Sequence, residues 1–89
     1  MKEKKIIIPN KLGLHARAAA KIVTLTNKFK SIIEITNGDK KADAKSIMKI
    51  LMLAAPQGTE IKITASGKDE SAAIKSLENL IKAKFNEEY

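Results

Sequence analysis

Four segments of the chain predict β-strands, because apolar residues there alternate with polar ones or form short β-branched runs. The predicted strands span 6–8, 31–36, 40–44 and 59–66. In the last of these, Ile61 and Ile63 lie on one side and polar residues on the other. The dipeptide Asn37-Gly38 predicts a hairpin turn with these two residues at its centre, since both central positions favour positive φ.

Three further segments have the spacing of amphipathic helices. They are 16–27, then 46–54 with Ser46 as N-cap, and a last helix that follows Gly67-Lys68-Asp69. The first helix has a face of small residues that we expect to pack close to a sheet, namely Ala16, Ala19, Ala20 and Val23. The last helix has an apolar stripe that we expect to be buried, namely Ala73, Ile74, Leu77, Leu80, Ile81 and Phe85.

The half-polar strands imply a sheet with one covered face and one wet face, which is typical of antiparallel sheets. The element order βαββαβα therefore predicts an α+β fold, an open-faced β-sandwich with a four-stranded antiparallel sheet and three helices on one face. A ferredoxin-like sheet with an extra helix is the alternative. The sequence has no linker or internal repeat, so residues 1–89 are expected to form a single domain.

Composition limits the kinds of chemistry available to these 89 residues. The absence of cysteine excludes disulfides, thiolate zinc sites and thiol catalysis. No apolar run approaches the roughly 20 residues of a membrane span, so we expect no membrane insertion. The run Ile6-Ile7-Ile8 is also too short for a secretory signal, and we therefore expect a cytoplasmic protein.

The net charge of +7 is compatible with nucleic acid, a membrane surface or an acidic protein as partner. Arg17 is the one arginine among 17 basic residues, and the chain has two Phe, one Tyr and no Trp. Base-reading surfaces favour arginine, and single-strand binders favour stacking aromatics. A small basic nucleic-acid-binding module is therefore the weaker hypothesis, and salt-dependent binding to generic nucleic acid would support it.

The candidate chemistry centres on His15, the only histidine, which lies where a glycine-containing loop meets the first helix. The first amides of a helix lack intrahelical partners and attract anions such as phosphate. The same field disfavours imidazolium, so a neutral, nucleophilic ring is expected. Arg17 can supply further donors to the same anion. A phosphoryl-carrying histidine fits this pattern, although a capping histidine beside a solvated arginine fits it too.

The segment Leu12-Gly13-Leu14-His15-Ala16-Arg17, followed by an alanine-rich helix, closely resembles the active-site signature of the HPr family. These proteins are the histidine-containing phosphocarriers of the bacterial phosphotransferase system. The segment Lys45-Ser46-Ile47-Met48 resembles the regulatory serine segment of the family. Asn37-Gly38, Gln57-Gly58-Thr59 and Ala65-Ser66-Gly67 also fit the family at their positions, so the resemblance covers nearly the whole chain.

The resemblance implies a phosphorelay. Enzyme I, charged from phosphoenolpyruvate, would pass a phosphoryl group to Nδ1 of His15, which would hand it to the IIA domain of a sugar permease. Arg17 would engage the phosphate during transfer. The protein would be a carrier rather than an enzyme, with no cofactor and no metal, and we expect a monomer.

One residue departs from the family pattern, because Ala18 stands where the family usually has proline. Proline fixes φ and removes a backbone donor, so alanine restores one N–H and loosens the loop slightly. We expect altered transfer kinetics at most. The departure also favours the alternative of a paralogue that serves a nitrogen-type or regulatory branch.

Ser46 has two expected roles. It is a helix N-cap, and the resemblance adds phosphorylation by an HPr kinase/phosphorylase, with a transcription regulator as a further partner. If Ile50 and Leu53 point inward, the following helix leaves apolar residues outside, although Met48 and Met52 could also fill core gaps. The expected docking surface comprises Ala16, Ala20, Ile47, Met48, Lys49, Leu51 and Met52.

Overall fold

The computed structural model describes residues 1–87, which form an antiparallel sheet covered on one face by helices. The strands are β1 (Lys2–Ile7), β2 (Ile32–Asn37), β3 (Lys40–Asp43) and β4 (Glu60–Ser66). The helices are α1 (Ala16–Thr26), α2 (Ile47–Leu51) and α3 (Glu70–Lys82), followed by a 3-10 turn at Lys84–Asn86. The strand order is β1-β4-β2-β3, with every neighbouring pair antiparallel. The predicted open-faced α+β architecture is confirmed.

The core lies between the sheet and the helices. Ile63 of β4 is opposite Ile35 of β2 in the sheet register, and both side chains are fully buried. Burying such a side chain stabilises the fold by roughly 1.5–3 kcal/mol. On the other face, Thr36 is opposite Lys62, as expected for a sheet exposed to solvent. None of the helices in the described part of the chain is long and apolar enough to cross a membrane.

Strand β1 is longer than the predicted segment, because it begins at Lys2 and runs antiparallel to β4. Lys4, opposite Ile63, lies on the side of the sheet that carries the helices, and its ammonium is 3.5 Å from the Glu78 carboxylate of α3. A lysine can lie along an apolar surface with its charge directed outward, so it substitutes for an apolar residue at this edge.

The face that α1 buries differs from the prediction. Its buried residues are Ala18, Ala19, Ile22 and Thr26, whereas Ala16 is exposed and Ala20 and Val23 are half-buried. A turn made almost entirely of alanine does not specify which side faces inward. The largest buried side chain, Ile22, sets the orientation of the helix instead.

The hairpin turn is shifted by one residue from its predicted position. Asn37 pairs with Lys40, so the two central residues are Gly38 and Asp39, and Gly38 has the positive φ of 63°. The Asn37 side chain instead donates a hydrogen bond to the Leu53 carbonyl at 2.9 Å. This bond holds the strand end against the segment that follows α2.

Both of the later helices end earlier than the patterns suggest. Helix α2 stops at Leu51, and Ala54 has a left-handed φ of 49°. Helix α3 buries four residues of its predicted stripe, but Leu80 is only half-buried. Phe85 is fully buried, yet it belongs to the 3-10 turn beyond α3 rather than to the helix.

Asp69 connects the start of α3 to the loop before β2. Its carboxylate accepts hydrogen bonds from the Ser31 hydroxyl, from the Lys30 amide at 2.8 Å and from the Ser31 amide at 3.0 Å. The Ser31 hydroxyl, followed by the Lys30 amide, lowers the pKa of Asp69 below its usual value. The charged form of this carboxylate is therefore favoured by folding.

A carboxylate whose pKa is lowered by folding contributes stability above its unfolded pKa and loses it as the pH falls through the folded value. Asp69→Asn should therefore unfold at a lower temperature than the wild type at pH 7. The difference should shrink below about pH 4, where the wild-type carboxylate also takes up a proton. Thermal melts between pH 2 and 7 measure this, with the exposed Glu60→Gln as control. A difference that does not vary with pH would contradict the role of Asp69.

Candidate functional site

His15 is the N-cap of α1. Its backbone is extended, with φ −84° and ψ 179°, and its Nδ1 atom accepts a hydrogen bond from the Arg17 amide at 3.3 Å. The helical ladder opens with the bond from the Ala19 amide to the His15 carbonyl at 2.9 Å. Amides at the start of a helix carry a partial positive charge. Nδ1 therefore lies where an anion would be stabilised, and the side chain is 23% exposed.

The two ring nitrogens of His15 have different partners, and these partners fix the tautomer. A backbone amide can only donate, so the contact with Arg17 requires a lone pair on Nδ1. In the neutral ring the proton then lies on Nε2, which donates to the Glu87 carboxylate at 2.7 Å. The Glu87 side chain is only 4% exposed. Nδ1 is thus the ring nitrogen that carries the lone pair, and that lone pair accepts from the Arg17 amide.

The loop before α1 is held by two hydrogen bonds between Asn10 and Gly13. The Gly13 amide donates to the Asn10 carbonyl at 3.2 Å, and the Asn10 side-chain amide donates to the Gly13 carbonyl at 2.9 Å. Asn10 is fully buried, and the same amide group donates to Glu87 at 2.8 Å. Asn10 therefore connects the loop that carries His15 to the carboxylate that contacts its ring.

Arg17 is exposed and lies at the edge of a shallow groove between α1 and the residues Leu80 and Asn86. Lys21, Lys28 and Leu25 also line this groove. The Lys21 ammonium donates to the Phe85 carbonyl, so it is held in place. The surface beside His15 is consequently positive with an apolar floor.

Ser46 is the N-cap of α2, as predicted, and its Oγ accepts from the Lys49 amide at 3.3 Å. Ile50 and Leu53 point inward as expected, while Ile47, Met48 and Met52 are 39%, 70% and 65% exposed. Lys49 and Ala16 are also exposed, and Ala20 is half-buried.

The expectation that Leu51 points outward was wrong, because this residue is half-buried and packs against the core. Helix α2 is only five residues long, and Leu53, two residues after its end, is buried. The predicted docking surface is therefore narrower on that side.

Sequence reasoning missed Asn10 and Glu87. Glu87 lies 72 residues from His15 along the chain, and a single carboxylate near the end of a sequence carries no local signal. Asn10 follows a proline, and this predicts only a turn. The contact of Glu87 with the His15 ring and that of Asn10 with Glu87 are visible only in three dimensions.

Comparison with known proteins identifies the family. The protein-family model "PTS HPr component phosphorylation site" matches residues 2–83. The chain belongs to the HPr family. It is similar to phosphocarrier protein HPr of Xylella fastidiosa, at 44% identity over 99% of both chains. It is also similar to phosphocarrier protein NPr of Shewanella violacea, at 44% identity over 96% of this chain and 93% of that protein.

The solved structures of HPr agree with the fold. Crystalline HPr-C-His from Thermoanaerobacter tengcongensis matches the whole of both chains with a TM-score of 0.96 and 50% identity. A second structure from that organism is described as an HPr dimer and matches with a TM-score of 0.78, over 98% of this chain and all of that one. HPr membership makes the chain a phosphocarrier of the phosphotransferase system rather than a catalytic enzyme.

Substitution of Gly13 tests how the loop supports His15. Its φ is +69°, and a Cβ built there would be 2.5 Å from the Ala55 carbonyl oxygen. Gly13→Ala should therefore lower the free energy of unfolding by more than the roughly 1–2 kcal/mol of the left-handed conformation alone. Gly38→Ala is the matched control, since Gly38 has φ +63° and open space around it. Equal losses in urea unfolding would show that the close approach is unimportant.

Proposed function

We propose that His15 is the phosphorylated residue of this HPr and that Nδ1 is the atom that bonds to phosphorus. The observation that carries the proposal is the pair of contacts on the ring, with the Arg17 amide at Nδ1 and a carboxylate at Nε2. Together they leave the lone pair of the neutral ring at the start of α1. A phosphoryl group bound there lies among the positive ends of backbone amides.

Phosphoryl transfer to His15 replaces the hydrogen bond that Nδ1 accepts with a covalent bond to phosphorus. The Nδ1 lone pair forms the N–P bond, while the bond from phosphorus to the donor breaks and its electron pair returns to the donor. The Arg17 amide, which rests on Nδ1 in the free protein, then becomes available to a phosphoryl oxygen. The side chain of Arg17, two residues along and exposed, supplies charged donors to the other oxygens in this proposal.

The partners in this proposal are enzyme I as donor and the IIA domains of sugar permeases as acceptors. Met48 and Met52 offer an exposed, adaptable apolar surface that suits several partners in turn. Lys28 and Lys49 are exposed and would steer acidic partners. We propose a monomer as the working unit, located in the cytoplasm.

We further propose Ser46 as a regulatory phosphorylation site, served by an HPr kinase/phosphorylase and read by a transcription regulator. Its hydroxyl accepts from the Lys49 amide at the start of α2, next to the exposed Ile47 and Met48. A phosphate there would place about two negative charges on the docking surface.

A nitrogen-type branch is the second candidate, and two observations favour it. The relative from Shewanella violacea is named NPr, and Ala18 replaces the proline that is usual in the family. Comparison of phosphoryl transfer from enzyme I of the sugar branch and of the nitrogen branch decides between them, since the true donor should be faster by at least tenfold.

Incubation with enzyme I and phosphoenolpyruvate tests the main proposal. The wild type should gain an acid-labile, base-stable phosphoryl group, and His15→Ala should gain none. Arg17→Ala should keep its fold and be phosphorylated at least tenfold more slowly, because charged donors to phosphate are lost. Lys11→Ala removes an exposed cation from the same loop and should retain the wild-type rate. Phosphorylation of His15→Ala would overturn the proposal, and an unchanged rate in Arg17→Ala would remove the role of Arg17.

Two substitutions separate the structural role of Ser46 from the regulatory one. Ser46→Ala should lower the free energy of unfolding by about 1 kcal/mol through loss of the N-cap. Ser46→Asp should preserve the cap, because aspartate is an equally good N-cap, but it should slow phosphorylation by enzyme I. Urea unfolding and initial transfer rates measure the two effects. Wild-type transfer by the aspartate variant would argue against regulation at this residue.

A further inference from the structure

Near the end of its described part, the chain contributes a group to the site. We propose that Glu87 is a positioning residue for phosphoryl transfer, which holds the His15 ring through Nε2 and compensates the positive charge that the ring gains when Nδ1 bonds to phosphorus. The inference rests on the proposed function, because it assigns a role in the same transfer step.

The first support is the geometry of the Glu87 carboxylate. One oxygen is 2.7 Å from Nε2 of His15, and the other accepts from the Asn10 side-chain amide at 2.8 Å. The Glu87 side chain is 4% exposed and Asn10 is fully buried. A carboxylate removed from water in this way needs donors, and it has one on each oxygen.

The second support is the way in which the backbone brings Glu87 to this position. After α3, the residues Lys84, Phe85 and Asn86 have φ values of 56°, 57° and 62°. Left-handed backbone is unfavourable for lysine and phenylalanine, so burial and hydrogen bonds must hold the turn. The Phe85 side chain is fully buried, and its carbonyl accepts from the Lys21 ammonium of α1. The turn thus directs the following residue back toward His15.

The chemistry of transfer explains what this carboxylate does. A neutral imidazole that uses the Nδ1 lone pair to form an N–P bond keeps its Nε2 proton and becomes a cation. The bond between phosphorus and the donor breaks with its electron pair, and no proton has to move. A carboxylate on Nε2–H opposes the new positive charge and prevents the ring from turning. Asn10 acts through Glu87, because its side-chain amide donates to the carboxylate and holds it in place.

Three variants test the proposal. Glu87→Ala removes the acceptor, Glu87→Gln keeps an oxygen that can accept from Nε2–H but removes the charge, and Glu60→Gln is an exposed control on β4. The first readout is the imidazole Nε2–H signal of His15 in ¹⁵N-edited NMR of the unphosphorylated protein. The second is the initial rate of phosphorylation by enzyme I and phosphoenolpyruvate, measured on variants whose circular dichroism matches that of the wild type.

The signal should be protected from exchange with water in the wild type and in Glu87→Gln, and lost in Glu87→Ala. Transfer should slow about tenfold in Glu87→Ala, the scale expected for loss of a charge-assisted hydrogen bond, and less in Glu87→Gln. Glu60→Gln should change neither readout. A protected signal or a wild-type transfer rate in Glu87→Ala would overturn the role of Glu87.

Failure of the proposed function gives a different result. If the wild type is not phosphorylated at His15, the proposed function fails, whereas the NMR signal still reports whether Glu87 holds Nε2–H. If the wild type is phosphorylated and Glu87→Ala matches it, only the inference about Glu87 fails.

Discussion

The close approach of Gly13 to the Ala55 carbonyl is the constraint on which the geometry of the site depends. The same oxygen accepts the Leu14 amide at 2.9 Å, so the loop is fixed to the segment after α2 immediately before His15. This contact places His15 as the N-cap with an extended backbone, and that backbone in turn directs Nδ1 toward the amide two residues on. A side chain at residue 13 would push the loop outward and move the ring away from the first turn.

The electrostatic environment of the ring is asymmetric, and this suits a carrier. Nδ1 faces the positive end of α1 and Nε2 faces a carboxylate, so the field along the ring favours a negative group at one nitrogen and a proton at the other. On the proposed loading of Nδ1, the Arg17 amide and the Glu87 carboxylate would serve the free and the phosphorylated ring alike. Little reorganisation is then needed on loading or unloading, as a group that must move in both directions requires.

Much of the fold follows from periodicity, and the errors have physical causes. Strand β4 was predicted to within a residue because Ile61 and Ile63 alternate with polar neighbours, and one buried face requires that pattern. Most of β1 was missed because Lys2 to Lys5 is charged, and its pairing comes from β4 and from an ion pair with α3. The predicted buried face of α1 was wrong because consecutive alanines do not indicate which side of the helix faces the core.

The candidate site combines residues that are close in the sequence with one that is distant, and only the close ones could be predicted. His15 and Arg17 lie two residues apart at a helix start, so the sequence alone was enough to predict an anion site there. The acceptor on Nε2 comes from the other end of the chain, and its position depends on the burial of Phe85 and on a left-handed turn. Sequence spacing reports neighbours within one element, whereas a contact across 72 residues depends on the whole packing arrangement.

Ala18 stands where the family usually has proline, and this difference leaves the fold intact. Ala18 lies in the first turn of α1, before the ladder that opens at the Ala19 amide, so no helical hydrogen bond depends on whether residue 18 has an N–H. Its methyl group is fully buried, and it contributes to the core as a small residue. Exchange of proline for alanine here therefore adds one donor beside His15 and some backbone freedom. The fold therefore does not depend on which of the two residues stands here, and any difference lies in the donors offered to the proposed phosphoryl group.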